Sequence, residues 1–174
     1  MSSIASGHTK NPIKPDRPTI VDLGAIDLSA TAATREQMLD YIPHRHEMAL
    51  LDRVVWVNDG HTEAVASIGV RGDEFWVRGH FPQRAMMPGV LMVEAGAQLA
   101  CWLFNVRQST PTIAAFLRIE NAVFRQSVTV GDTLYVLCKE TKCSARRFAS
   151  EIQGVVNNQI AFEASIVGMR IGDA

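Results

Sequence analysis

Between Val90 and Phe104 every residue is apolar or small except Glu94 and Gln98. A helix that is apolar all round is a buried helix. Pro88-Gly89 supplies its start, because a proline near the first turn lacks an N–H that would have had no intrahelical partner. At about 15 residues the run is shorter than the roughly 20 that a bilayer span requires, so the expected burial is inside a protein. On either side the pattern changes to strands. Arg53 to Val57 and His61 to Val70 flank Asn58-Asp59-Gly60, residues suited to a reversal, and predict a hairpin. Pro111 to Glu120 is apolar and β-like. Asp132 to Cys143, Arg146 to Val156 and Ile160 to Ile171 predict three long strands, with turns near Ser144 and Asn157-Asn158.

Alternation assigns faces within these strands. Leu134, Val136 and Cys138 point one way and Tyr135, Leu137 and Lys139 the other. In the 61–70 strand Ala64, Ala66, Ile68 and Val70 oppose Val65, Ser67 and Gly69, and neither side is clearly polar. Upstream, Thr34 to Tyr41 predicts a short helix stopped before Pro43. Residues 1–19, with Pro12, Pro15 and Pro18, predict an irregular or extended arm. Thr19 to Ser29 is expected either to add a short strand or to lie along a neighbouring subunit. The order is thus short helix, two strands, long buried helix, then about four strands. An α+β fold, in which a single antiparallel sheet wraps one long central helix, buries such a helix. The expected organisation is an irregular extension over 1–33 and one domain over 34–174, with no internal repeat.

Composition narrows the class. With 174 residues, 47% hydrophobic and 20% charged, the chain is long enough for a sizeable core. A net charge of −1 and the absence of a basic block argue against nucleic-acid binding. Three cysteines, Cys101, Cys138 and Cys143, show no metal-like spacing, and Cys101 in the apolar helix suits a small filler. Odd cysteine usage and an N-terminus with no apolar core are expected of a reducing, cytoplasmic protein. Asp16, Asp22 and Asp27 spoil an organellar transit pattern, and no run of about 18 apolar residues offers a membrane span.

The chemistry centres on Glu94. A buried carboxylate is costly unless paired, hydrogen-bonded or neutralised, and desolvation favours the protonated acid. Gln98, four residues on, shares its helix face and could hold it. A structural Glu reaching a backbone donor stands beside this reading. Fourteen positions earlier, His80 lies in Gly-His-Phe-Pro; a lone histidine beside Phe-Pro is commonly structural. Together, however, His80, Glu94 and the free N–H groups of a Pro-Gly helix start supply a base, an acid and an oxyanion donor. Those parts move a proton next to a thioester carbonyl. His44-x-His46 lacks a third ligand, so no metal is expected. Arg118, Arg125, Arg146 and Arg147 are scattered, as on an ordinary solvated surface, although they could attract an acidic partner.

The run His80-Phe81-Pro82, Met87-Pro88-Gly89-Val90-Leu91 and Glu94 resembles the 3-hydroxyacyl-[acyl-carrier-protein] dehydratases of fatty acid synthesis, in the broad-specificity type that carries Glu. Ile42-Pro43-His44-Arg45, Leu50-Leu51-Asp52-Arg53, Ala122-Val123-Phe124-Arg125 and Val130-Gly131-Asp132 agree in order and spacing, so the resemblance covers about residues 36–171. It implies a hot-dog fold with the helix as filling. His80 would be the base, Glu94 the acid and the Gly89 N–H the oxyanion donor, with Gln98 and Val90 supporting. His46, Met48, Phe81, Pro82, Met86, Met87 and Pro88 would line or gate an acyl tunnel; Leu91 and Met92 read as ordinary core. The resemblance further implies an acyl carrier protein bearing a 3-hydroxyacyl phosphopantetheine, no cofactor, and a homodimer, or a trimer of such dimers, with sites at the interface. Another thioester activity of the same fold, hydrolysis or enoyl isomerisation, and a non-catalytic acyl-binding module are the competing readings. One departure stands out. Where the family commonly has Tyr-Pro after Pro-His-Arg, with the Tyr gating the tunnel, this chain has His46-Glu47.

Overall fold

The computed structural model describes residues 15–173; Pro12 of the expected arm lies outside them. Seven strands form one antiparallel sheet: β1 (Ala33–Thr34), β2 (Arg53–Val57), β3 (Glu63–Gly69), β4 (Thr112–Phe124), β5 (Thr133–Cys143), β6 (Arg147–Val156) and β7 (Gln159–Asp173). Their order across the sheet is β1-β2-β3-β5-β6-β7-β4, so β4 is an edge although it precedes β5 in the chain. The short helix α1 (Arg35–Leu39) precedes β2, and the long helix α2 (Gly89–Asn105) lies between β3 and β4. α2 packs against β3 to β7, as the hot-dog arrangement requires.

Local chemistry sets the boundaries. Thr34 and Gln37 close a reciprocal capping box on α1, as Thr34 Oγ1 accepts from Gln37 N and Gln37 Oε1 from Thr34 N. Asn157 and Asn158 adopt positive φ of 48° and 62° and make the two-residue β6–β7 turn, a geometry asparagine tolerates. The far end of α2 is tied down by Asn105, which is fully buried. Its amide donates to Tyr41 O and Thr112 O at 2.6 and 2.8 Å, and its Oδ1 accepts from Thr112 N and Oγ1. A buried amide so completely satisfied joins helix, edge strand and α1 loop.

Both sheet faces are covered, and this accounts for the apolar character of both sides of β3. Ala64, Ala66, Ile68 and Val70 join Leu134, Val136 and Cys138 in the core beneath α2. On the opposite face Val65, Leu137, Val55 and Val155 pack against Val21 and Leu23. Thr19 to Ser29 forms no strand; it crosses the outer face with a 3-10 turn at Leu23–Ala25. Gln153 Oε1 accepts from Ile20 N, and Arg53 donates to Leu28 O, pinning the crossing at both ends. Several of the blocks that carry the resemblance have structural work. Asp52 accepts from Gly69 N at 2.7 Å and pairs with Arg35 and Arg71. Asp132 accepts from Thr129 N and Oγ1 across the turn where Gly131 has φ 94°.

α2 is not covered all round. Val90 is 73% exposed, and Glu94 and Ala97 are half-buried on the same stripe. The chain's own sheet wraps the opposite stripe, and among the described residues the face that includes Val90 is only partly covered. Beside it, the edge strand β4 exposes Ile113, Phe116, Leu117, Ile119, Val123 and Phe124.

α2 approaches the sheet closely at Gly96, where an added Cβ would lie 2.6 Å from Ile152 Cδ1. Gly96→Val is therefore expected to destabilise the fold by about 1–3 kcal/mol through overpacking. The measurement is a fall in the urea midpoint at unchanged m-value.

Candidate active site

His80 is held from three sides. Its backbone N–H donates to Trp76 O at 2.8 Å, its carbonyl accepts from Met86 N at 2.9 Å, and its ring Nδ1 lies 2.9 Å from Met86 O. A carbonyl oxygen only accepts, so Nδ1 carries a proton, and it is Nε2 that bears the lone pair whenever the ring acts as a base. The peptide to Phe81 is cis, and the two rings stack with centroids 4.2 Å apart.

The cavity that His80 lines, about 490 Å³, is bounded by Met86, Met87, Pro88, Gly89 and Phe124 among others. Pro88 occupies the N-cap of α2. The Leu91 and Met92 N–H groups turn back to Pro88 O, while those of Gly89 and Val90 find no acceptor among the described residues. Free N–H groups at the positive end of a 17-residue helix suit a developing oxyanion. A Cβ on Gly89 would meet the Phe124 ring at 2.7 Å, so only glycine leaves the amide accessible with the ring in place. His80 and the free Gly89 N–H thus share one cavity within one chain.

Glu94 does not share it. Five residues beyond Gly89, it lies about 140° around the helix and about 7.5 Å along the axis. It lines a separate small cavity with His44, Ala97, Cys101, Ala114, Ala115 and Phe116. Its side chain is 21% exposed, so the full burial expected of it is not reached within one chain. Gln98, with no exposed surface, donates from Nε2 to Glu94 Oε1 at 2.8 Å and to Met48 O at 2.7 Å, while its own Oε1 accepts from Leu50 N at 3.1 Å. That amide is locked in one orientation, and its hold on Glu94 has the i, i+4 geometry.

His44 has a different position from the metal-ligand pair considered for it. Its Nε2 lies 3.2 Å from Glu94 Oε1, whereas His46, at positive φ of 54°, lines another cavity of about 350 Å³ with Glu47, Leu50, Trp76 and Met87. The two histidines do not converge. Met87 borders both the His46 and the His80 cavities. Met92, 3% exposed and in the main core, also lines the His80 cavity. Met48, Phe81 and Pro82 are exposed and border none of these three cavities. Arg118 and Arg125 are engaged with Glu120 and Glu163. Burial pushes the thiols of Cys101 and Cys138 up to about 12, in keeping with inert fillers.

The chain matches the FabA-like domain over residues 42–165. It is 38% identical over 138 residues to the 3-hydroxyacyl-[acyl-carrier-protein] dehydratase FabZ of Rickettsia africae, covering 76% of this chain and 92% of that protein. The same enzyme from Staphylococcus carnosus is 40% identical over 126 residues, covering 72% and 86%. Among solved structures, the dehydratase heterocomplex ApeI:P of Xenorhabdus doucetiae superposes with a TM-score of 0.66 at 17% identity, over 78% of this chain and 91% of that one. A hypothetical thioesterase of Streptococcus pneumoniae aligns with a TM-score of 0.52 at 8% identity, over 70% and 86%. Likenesses at such low identity speak for the fold alone, and the fold hosts more than one chemistry. With the motif residues gathered around the start of α2, and with relatives this similar over most of its length, the chain belongs to the family of FabA-like 3-hydroxyacyl-[acyl-carrier-protein] dehydratases.

Proposed function

We propose that the protein eliminates water from (3R)-hydroxyacyl thioesters carried on the phosphopantetheine of acyl carrier protein, yielding trans-2-enoyl thioesters for fatty acid or related acyl-chain synthesis. The observation that carries this reading is the bond between His80 Nδ1 and the Met86 carbonyl, at 2.9 Å, in the same cavity as the unpaired Gly89 N–H. The thioester carbonyl accepts from Gly89, and His80 Nε2 takes the α-proton as the C–H bond breaks. Negative charge then develops on the thioester oxygen, where one such donor is typically worth about 10²–10³ in rate. A protonated Glu94 gives its proton to the 3-hydroxyl, the C–O bond breaks, and water leaves as the double bond forms. No cofactor enters this sequence.

Because His80 and Glu94 line different cavities within one chain, the complete site is assigned to a homodimer in which each chain supplies one of the two. The edge strand β4 favours this arrangement. It runs 13 residues with apolar side chains exposed on both faces. A long exposed apolar edge is a template for another strand, and a two-fold axis pairs it antiparallel with its own copy. Such a dimer would also cover Val90 and deepen the burial of Glu94; a trimer of dimers is a further assembly open to it. No described helix is long and apolar enough to cross a membrane, and a cytoplasmic enzyme meeting a soluble carrier is the setting proposed. The acyl chain would run beside Met86 and Met87, with His46 in the gate position at the mouth.

The test is incubation with 3-hydroxyacyl and 2-enoyl thioesters of acyl carrier protein while following the absorbance of the conjugated enoyl group. Absorbance is expected to rise with the first substrate and fall with the second. Free thiol release without interconversion would instead mark a hydrolase, and inertness toward both would mark a binding module.

A further inference from the structure

We infer that His44 is a positioning residue for Glu94: with Gln98 it saturates one carboxyl oxygen and so assigns the exchangeable proton to the other. This rests on the proposed acid role of Glu94. His44 Nε2 and Gln98 Nε2 lie 3.2 and 2.8 Å from the same atom, Oε1. Gln98 cannot turn its oxygen toward Glu94, because that oxygen already accepts from Leu50 N and the amide nitrogen also serves Met48 O. Oε1 therefore faces two donors, and a proton placed there would lose both interactions. Oε2 has no hydrogen-bond partner among the described residues and is the oxygen that carries and releases the proton. Two donors converging from different elements, α2 and the loop between α1 and β2, also hold the carboxyl plane still. A reacting group held near its productive geometry gains rate without gaining affinity.

The other ring nitrogen of His44 gives independent support. Nδ1 is buried and has no partner. A proton on Nδ1 would leave a buried N–H unsatisfied, which is more costly than a bare acceptor lone pair beside apolar walls. The ring therefore holds its proton on Nε2, facing Glu94. The lining of this cavity offers no competing charge. Ala97 and Cys101 come from α2, Ala114 to Phe116 from β4, Phe148 from β6 and Gly168 from β7, and Cys101, its thiol pushed up by burial to about 12, is the one other titratable group. An orphaned ring nitrogen adds nothing to stability, so what the ring offers at this place is the nitrogen that meets Glu94.

The experiment compares His44→Phe, which keeps an aromatic ring, somewhat larger, without a donor, with His44→Gln, whose amide nitrogen can reach the place of Nε2. Steady-state dehydration and urea unfolding are measured for both, with Glu94→Gln alongside. His44→Phe is expected to lower kcat by about ten- to a hundredfold, part of the general acid contribution, with KM within threefold and an unchanged or higher unfolding midpoint. His44→Gln is expected to recover kcat to within threefold of the parent. His44→Leu serves in place of His44→Phe should the latter not fold. A kcat within twofold of the parent for the apolar variant, a change confined to KM, or a His44→Gln variant as slow as His44→Phe would each overturn the assignment. An active Glu94→Gln would remove the acid role itself, and an inactive one beside a normal His44→Phe would remove only the part given to His44.

Discussion

His80→Ala and Glu94→Ala are each expected to lower kcat for 3-hydroxyacyl-[acyl-carrier-protein] dehydration by about 10²–10⁴-fold, the range usual for a lost general acid or base. Neither should unfold the protein. His80 contributes one ring hydrogen bond to a loop whose backbone is separately held by Trp76 O and Met86 N. Glu94 is partly exposed, and Gln98 keeps its bonds to Met48 O and Leu50 N without it. The urea midpoint is therefore the control: a large drop in rate with a small change in midpoint separates chemistry from stability. A variant that keeps near-normal turnover of the enoyl product would strip that side chain of its role. The two variants should also differ from His44→Phe, whose loss is smaller because it acts through Glu94.

Mixing the two inactive variants should restore activity. If each site takes His80 from one chain and Glu94 from its partner, a hybrid dimer carries both lesions in one site and neither in the other. Random exchange makes half the dimers hybrid, each with one of two sites intact, so about one quarter of the parent activity is expected. This expectation rests on the proposed dimer, which the separate cavities of His80 and Glu94 within one chain support. Exchange is monitored by mass spectrometry of differently tagged chains. Hybrids that form and stay inactive would place both groups in a site built by one chain. A related expectation concerns β4: its exposed Ile119, Val123 and Phe124 should be shielded in solution if the edge pairs with its copy.

Much of this molecule is legible from residue order. The unbroken apolar run after Pro88-Gly89 and the two-residue period predict α2 and the long strands β5, β6 and β7 to within a few residues, because each has one element-wide pattern and turn or start chemistry at its ends. Asn157-Asn158 and Pro88-Gly89 are local signals that owe nothing to distant partners. The identities of His80, Gly89 and Gln98 as candidates are legible in the same way, since all belong to one continuous motif around the helix start.

What the tertiary structure decided involves residues far apart in the chain. Thr19 to Ser29 has no period of its own; only the apolar outer face made by Val55, Val65, Leu137 and Val155 gives Val21 and Leu23 a place to be buried. The proton position on His80 depends on the carbonyl of Met86 across a loop. His44, which the sequence offers only as half of a poor metal pair and as part of the Ile42-Pro43-His44-Arg45 block with no role of its own, meets Glu94 across 50 positions because the α1–β2 loop folds onto the flank of α2. Local pattern specifies helices, strands and turns because their hydrogen bonds close within a few residues. Which oxygen of a carboxylate is free depends on contacts that exist only once the sheet has wrapped the helix.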